Sequence, residues 1–372
     1  MSDRTRRILH IIPQLGIGGA ERQLYTFIYK SDPKKFTHEI IYYSDSNDTK
    51  GFSVCDKLGI NYYRITRHKF RLIQFLLNLS QEIQKRSPDI VHCWLYSGVI
   101  WGRWAAIIAG VKNIIVTYRS SHFIHTKILK LLEKLTSKKV VYLANSKACA
   151  AAAAKALGVS QSKFNVIYNG VELAEKTPDS SASLRSELNI PENISIVTMV
   201  GRLTFAKNYP MLLKLAAKCK QEKLPVRFVI VGHGELEGEL KQLANDLKIA
   251  DFVYFLGLRD DVQQILSKSD VFCFTSLYEG FPNALLEAML AKLPIIASKF
   301  KGVEELITDG VNGQLVEIGE INAAYHALYL FLTNPDISRK FANEAYVTAM
   351  NNFSVSQMVD STEKLYNNIL RG

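Results

Sequence analysis

The sequence has no clustered cysteines, no long apolar run and no low-complexity tract, and each lack removes a class of protein. Its five cysteines (Cys55, Cys93, Cys149, Cys219 and Cys273) are odd in number and include no C-x-x-C pair. That excludes a disulfide scaffold and a structural zinc site, and predicts buried thiols in a reducing compartment. Basic residues at Arg4, Arg6 and Arg7 precede a short apolar run, Ile8 to Ile12, which His10 breaks and Pro13 ends, so no export signal is expected. The most apolar stretch, Val91 to Val116, is interrupted by His92, Arg103, Gly110 and Lys112. It falls short of the roughly 20 clean residues that a membrane span needs. With 22% charged residues and with 10 prolines and 21 glycines dispersed along the chain, neither a disordered nor a collagen-like protein fits.

What is present is ordinary globular composition, 48% apolar, over 372 residues. That length exceeds what one hydrophobic core usually serves, so two domains are expected. The net charge of +11 is unevenly spread: residues 1–180 carry 27 basic against 13 acidic side chains, and the remainder 19 against 22. The basic half therefore suits an anionic partner, whether nucleic acid, a phospholipid surface or an acidic substrate.

Strand-like runs at Arg7 to Ile12, His38 to Tyr43, Ile90 to Cys93, Asn113 to Thr117, Val140 to Ala144 and Phe164 to Ile167 form one series. A second follows at Ile194 to Val200, Val226 to Val231, Phe252 to Phe255, Val271 to Phe274, Pro294 to Ala297 and Gly313 to Val316. Helical periodicity fills most gaps, as at Ala20 to Tyr29, Leu72 to Lys85, Tyr209 to Gln221 and Asn283 to Leu290. Strands alternating with helices predict α/β domains with doubly wound parallel sheets, whose ligands lie at the carboxyl ends of the strands, in the cleft between domains. The polar stretch Lys176 to Ser186 reads as the linker, which places the domains at 1–180 and 181–352. The Ala-rich run Ala148 to Ala156 reads as a helix capped by Asn145 or Ser146 and closed near Gly158.

Motifs then sit on that frame. Gly16-Ile17-Gly18-Gly19-Ala20-Glu21 follows the first strand and opens a helix; Glu21 stands where a dinucleotide fingerprint requires glycine. Gly18 and Gly19 let backbone approach a ligand closely. In the second half, a strand runs into Gly201-Arg202-Leu203, with Lys207 five residues after Arg202, and the two cations suit a diphosphate leaving group. Another strand ends in Gly232-His233-Gly234-Glu235. The segment Ser276 to Met289 carries Glu279 and Glu287 eight residues apart, flanking Gly280, Phe281, Pro282 and Asn283 at a helix start, where backbone amides make an anion site.

The E-G-F-P-N-A-L-L-E-A-M segment, the G-R-L-(x)3-K and V-G-x-G-E turns, Y-N-G-V at Tyr168 to Val171 and the early G-G-A-E together resemble the GT4-like family of retaining glycosyltransferases. The likeness covers nearly the whole chain and implies the GT-B fold, two Rossmann-like domains facing across a cleft. It implies that Arg202 and Lys207 bind the diphosphate of a nucleotide sugar, helped by the helix amides after Glu279. Glu279 would face the hydroxyls of the donor sugar and Glu287 those of the ribose, with Gly232 and the backbone near Leu258 forming the base pocket. It also implies retention of configuration and a carboxyl-terminal segment, 353–372, whose helix crosses back to the first domain. The expected donor is a UDP-sugar, without any cofactor. No D-x-D triplet exists, in keeping with no metal, Arg202 and Lys207 doing the work of a divalent cation. Asp260-Asp261 reads as a helix N-cap. One departure concerns the strand ending at Thr117: Arg119 stands where many relatives have a histidine that reaches the donor sugar, and His122 follows three residues later. Both remain candidates for catalysis.

The acceptor is expected in the basic half. Lys127, Lys130, Lys134 and Lys138 recur at helical spacing beside Ile128, Leu131, Leu132 and Leu135, and Arg64, Arg67, His68, Lys69 and Arg71 form a second basic cluster. Either the lysines meet an anionic membrane bearing a glycan or lipid-linked acceptor, or they are the solvated face of a helix whose leucines are core. The expected setting is surface polysaccharide or lipopolysaccharide assembly, in the cytoplasm, peripheral on the inner face of the cytoplasmic membrane. Two other readings stand beside it: a nonhydrolysing sugar-nucleotide epimerase or phosphorylase on the same fold, and a basic nucleic-acid-binding protein. The last lacks any aromatic-basic RNA motif or zinc finger.

Overall fold

A computed structural model describes residues 4–44, 50–67, 71–120, 127–172 and 184–371, without the side chains of 127–129 and 132. Two compact units divide the chain, one of residues 1–170 with 355–372 and the other of 171–354. The expected linker, 176–186, lies mostly outside the described residues.

The first unit holds a sheet of β1 (Arg6–Ile11), β2 (Phe36–Tyr42), β3 (Asn61–Arg64), β4 (Ile90–Trp94), β5 (Ile114–Tyr118), β6 (Val141–Ala144) and β7 (Phe164–Val166). Its order is β3-β2-β1-β4-β5-β6-β7, and each pairing is parallel. Helices α1 (Gly19–Lys30), α2 (Lys50–Lys57), α3 (Leu72–Arg86), α4 (Leu95–Ile108), α5 (Lys127–Thr136) and α6 (Lys147–Leu157) connect the strands. The central strands are buried along their length, as in β4 and β5, because helices cover both faces. Only β3, at the edge, is largely exposed; its Asn-Tyr-Tyr-Arg sequence has no apolar run, so nothing in the pattern predicts it.

In the second unit β8 (Ser195–Val200), β9 (Val226–Val231), β10 (Val253–Phe255), β11 (Val271–Phe274), β12 (Ile295–Ser298) and β13 (Gln314–Val316) pair in the order β10-β9-β8-β11-β12-β13, again all parallel. Its helices are α7 (Leu184–Glu187), α8 (Tyr209–Gln221), α9 (Glu237–Asp246), α10 (Val262–Ser267), α11 (Asn283–Leu290), α12 (Ile321–Thr333) and α13 (Pro335–Asn352). One core packs α8 and α12 on the sheet through Leu212, Phe228, Ile230, Leu328 and Phe331.

The last helix, α14 (Val355–Arg371), belongs to the first unit. Tyr366 drives that docking: its ring meets Phe27 and Phe36 edge-on at 5.7 and 5.6 Å, and its hydroxyl lies 2.7 Å from His92 Nδ1. Glu363 adds a polar clasp, accepting from Ser31 Oγ at 2.9 Å and from the Asp32 amide at 2.8 Å. All five cysteines are free and buried. Among the described residues no helix is long and apolar enough to cross a membrane.

Candidate functional site

The carboxyl ends of β8, β9, β10 and β11 gather most of the residues singled out in the second half. At the end of β8 the chain turns at Gly201, and the Gly201 carbonyl accepts from Tyr209 OH at 2.7 Å. A Cβ on Gly201 would lie 3.0 Å from Lys207 Cε, so the lysine stem crosses the strand end where only glycine leaves room. Gly232 is tighter still: with φ of +139°, its Cβ would meet the Gly201 carbonyl oxygen at 2.0 Å. The Gly232 amide donates to Gly257 O at 2.8 Å, which ties β9 to β10 just before Leu258. Leu258 itself is exposed.

Lys207 and Glu279 are brought together. The Lys207 ammonium forms an ion pair with Glu279 Oε1, which also accepts from Ser276 Oγ at 3.0 Å, and the ammonium lies 5.1 Å from the centre of the Phe274 ring. Thr275 Oγ1 reaches the carbonyls of Lys207 and Asn208 at 3.0 and 3.1 Å, and the Leu277 amide donates to Ala206 O at 2.8 Å. The cationic turn and the acidic loop thus form one unit of structure. Ser276 is a site residue that the spacing argument passed over, although it opens the very segment quoted. Arg202 is exposed, and its guanidinium has no hydrogen-bond or ion-pair partner among the described residues. Glu287 is partly exposed on α11.

Some placements differ from expectation. Pro282 is the N-cap of α11 rather than part of its first turn, and the Asn283 amide is turned onto Phe281 O at 3.1 Å, so it does not point outward. Phe281 is buried, its ring 5.5 Å from Phe353, so its side chain is packed within the unit. Asp261 does occupy the N-cap of α10, yet its carboxylate makes no cap bond, because Arg259 holds it through two contacts of 2.8 Å. Among the described residues no three His, Cys, Asp or Glu side chains gather as metal ligands.

The first unit supplies a separate set of groups. Gly18 and Gly19 are exposed at the start of α1, and a Cβ on Gly18 would lie 2.6 Å from Glu21 Oε2, so the carboxylate folds over the glycine. Gly170, from the Y-N-G-V segment, is clamped by Gln23, which accepts its amide at 3.0 Å and donates to its carbonyl at 2.8 Å. Arg119 follows β5, stacks 5.2 Å from the Trp94 ring centre and donates to Asn169 Oδ1. Burial pushes its guanidinium down to about 10, against the opposing pull of Cys149 and Glu21. No carboxylate pairs with it among the described residues. No sequence signal marks Trp94: it ends a buried strand, Ile90–Trp94, whose one polar residue is His92, and has no motif of its own. Asn169 stood inside a quoted motif without a role. His122 lies outside the described residues, as do His68 and Lys69 of the second basic cluster. Ser146 caps α6, accepting from the Cys149 amide at 2.9 Å, which resolves the choice between Asn145 and Ser146.

In helix α5 two of the four apolar residues read as core are exposed, while the side chains of Ile128 and Leu132 lie outside the described set. Leu131 and Leu135 are 59% and 67% exposed beside exposed Lys130 and Lys134, so these leucines are not core. The side chain of Lys127 lies outside the described set.

Two Rossmann-like units with these strand-end motifs define a glycosyltransferase of GT-B fold. Residues 17–175 match glycosyltransferase family 4, and residues 180–348 match glycosyl transferases group 1. The chain is 33% identical over 308 residues, 78% of each sequence, to the UDP-Gal:alpha-D-GlcNAc-diphosphoundecaprenol alpha-1,3-galactosyltransferase of Escherichia coli. It is 26% identical over 235 residues, 63% of this chain and 62% of the other, to a Campylobacter jejuni N-acetylgalactosamine-N,N'-diacetylbacillosaminyl-diphospho-undecaprenol 4-alpha-N-acetylgalactosaminyltransferase. Among solved structures, Anabaena HepE in complex with UDP and glucose superposes with a TM-score of 0.85 at 23% identity, over 98% of this chain and 100% of that one. The chain belongs to the GT4-type glycosyltransferases.

Proposed function

We propose that the enzyme transfers a sugar from a UDP-sugar to a lipid-linked acceptor of the undecaprenyl-diphosphate type in surface polysaccharide or lipopolysaccharide assembly, with retention and without a metal. The observation that carries the donor half is the cationic turn at the end of β8, Arg202 exposed and Lys207 against Glu279. The acceptor half is supported by the diphosphoundecaprenol named for both relatives and by the basic, leucine-bearing outer face of α5.

In the reaction the bond from anomeric carbon to phosphate oxygen breaks, and its electron pair leaves with the nucleoside diphosphate. Arg202 and Lys207 take up the charge that develops there. The acceptor hydroxyl attacks from the same face, and its proton passes to the departing phosphate oxygen. Glu279, held by Ser276, orients donor-sugar hydroxyls once the diphosphate competes for Lys207. Glu287 serves the ribose, and the turns at Gly232 and Gly257 make room for the base. Gly18, Gly19 and Arg119 are the substrate-contact candidates of the first unit, Arg119 in place of the usual histidine.

The test is hydrolysis of a panel of UDP- and GDP-sugars, with nucleoside diphosphate as readout, followed by transfer to undecaprenyl-diphosphate-linked N-acetylglucosamine with and without EDTA. Turnover of a UDP-sugar that EDTA leaves intact, with the product anomer matching the donor, is the expected result. Interconversion of the nucleotide sugar without any acceptor would favour an epimerase instead.

A further inference from the structure

Among the described side chains of helix α5, Glu133 and Thr136 are buried while Leu131 and Leu135 face outward. Arg103 of α4, only 2% exposed, holds this arrangement. Its Nη1 donates to Thr136 Oγ1 at 3.2 Å and its Nη2 to Tyr118 OH at 3.0 Å, and the same nitrogen forms an ion pair with Glu133. The Tyr118 hydroxyl donates to Glu133 Oε1 at 2.7 Å. One buried polar knot therefore joins α4, α5 and the last residue of β5.

Stability is a poor reason for such a knot. Taking two charges out of water costs several kcal/mol per ion, and apolar residues of similar volume often do as well or better. The compensation is also incomplete, since Arg103 Nε and Tyr142 OH are buried without a partner among the described residues. What the knot does fix is Tyr118, the residue directly before Arg119. A second connection runs alongside: α4, which carries Arg103, begins immediately after Trp94, the ring against which Arg119 is stacked.

We propose that Arg103 and Glu133 are positioning residues which, through Tyr118, couple the outward lysine and leucine face of α5 to the placement of Arg119. The inference rests on the reading of α5 as the membrane-facing helix and of Arg119 as a substrate-facing residue. Docking of α5 on the bilayer that carries the acceptor then sets the guanidinium, because helix and strand end share the same buried hydrogen bonds.

Hydrogen–deuterium exchange with and without phosphatidylglycerol vesicles tests this. In the wild type, vesicles should slow exchange both in α5 and in residues 114–120. The double variant Arg103→Met/Glu133→Leu exchanges the pair for apolar side chains of similar size, and thermal unfolding checks that it folds. Vesicles should then slow α5 alone, and KM for the undecaprenyl-diphosphate-linked acceptor should rise at least tenfold. Tyr118→Phe, which removes just the linking hydroxyl, should show the same uncoupling even if the double variant fails to fold. Slowing of both segments in a folded double variant or in Tyr118→Phe would overturn the proposal. Slowing of α5 alone in the wild type would overturn the coupling and leave the membrane reading standing, whereas no slowing at α5 in the wild type would overturn both.

Discussion

At the scale of single residues the second unit holds its main cation and its main carboxylate against each other. On the proposed function, a nucleotide sugar entering there would exchange the Lys207–Glu279 contact for Lys207–phosphate and Glu279–hydroxyl contacts, so that both charges would be paired before and after binding. Arg202, exposed and unpaired among the described residues, has no such exchange to make. Replacing either cation with alanine should cost transition-state stabilisation of about 3 kcal/mol, or roughly a hundredfold or more in turnover, as for one preorganised donor of an oxyanion site. The two variants should differ in the absence of substrate. Lys207→Ala leaves Glu279 with Ser276 alone and should lower the thermal midpoint, while Arg202→Ala should leave it where it was. Steady-state kinetics and thermal unfolding of the pair decide the assignment; equal activity to wild type in Arg202→Ala would remove that residue from the site.

At the scale of elements, the strands of the two sheets and the helices between them were legible in period and punctuation, β3 excepted, because central parallel strands are mostly apolar and several of their turns carry glycine. Partner choices were not legible. The sequence shows Lys207 and Glu279 as two ligand-binding groups, and their mutual contact depends on Thr275 and Leu277 folding back on the turn at 206–208. Likewise the periodicity of α5 names its polar and apolar faces without saying which is inside, since that depends on Arg103, over twenty residues earlier. The docking of α14 brings a further case. His10, His38 and His92 sit side by side on β1, β2 and β4, beneath Tyr366. Trp94 Nε1 donates to His10 Nδ1 at 3.0 Å; neutral His10 therefore donates from Nε2 to His38 Nδ1, also at 3.0 Å, which leaves the proton of His38 on a buried Nε2 that has no partner among the described residues. Burial holds all three below their ordinary range, His38 at about 4. The unfolded chain thus binds more protons than the folded one below pH ~6.5, and stability must rise with pH across the window from about 4 to 6.5. His38 alone accounts for about 3 kcal/mol lost when pH falls through that window. Urea midpoints followed by tryptophan fluorescence, which reports Trp94, Trp101 and Trp104 of this unit, should fall steadily from pH 7 to 4. A flat profile would mean that the imidazoles are already charged in the native state.

At the scale of the whole molecule, charge divides the labour. The surplus of basic residues lies within residues 1–180, whereas the donor groups of the proposed reaction lie on a unit that is slightly acidic overall. Lys130 and Lys134 of α5 stand exposed with two exposed leucines, a combination in which each lysine near an anionic bilayer is worth ~1 kcal/mol and the leucines add apolar contact. Reversing both lysines to glutamate should therefore abolish binding to phosphatidylglycerol vesicles and depress transfer to the lipid-linked acceptor. Hydrolysis of the nucleotide sugar measured without vesicles should persist, because Arg202, Lys207, Glu279 and Glu287 belong to the other unit. Vesicle binding by the wild type should also weaken between about 50 and 500 mM salt, over which the screening length shrinks to a few ångströms. The apolar part of the contact gives the sign of the residual: Leu131→Ser/Leu135→Ser should remove whatever binding survives at high salt, since salt screens the lysines and leaves the leucines untouched. Binding that ignored salt, charge reversal and leucine removal alike would place the acceptor in solution and reduce α5 to a solvated helix.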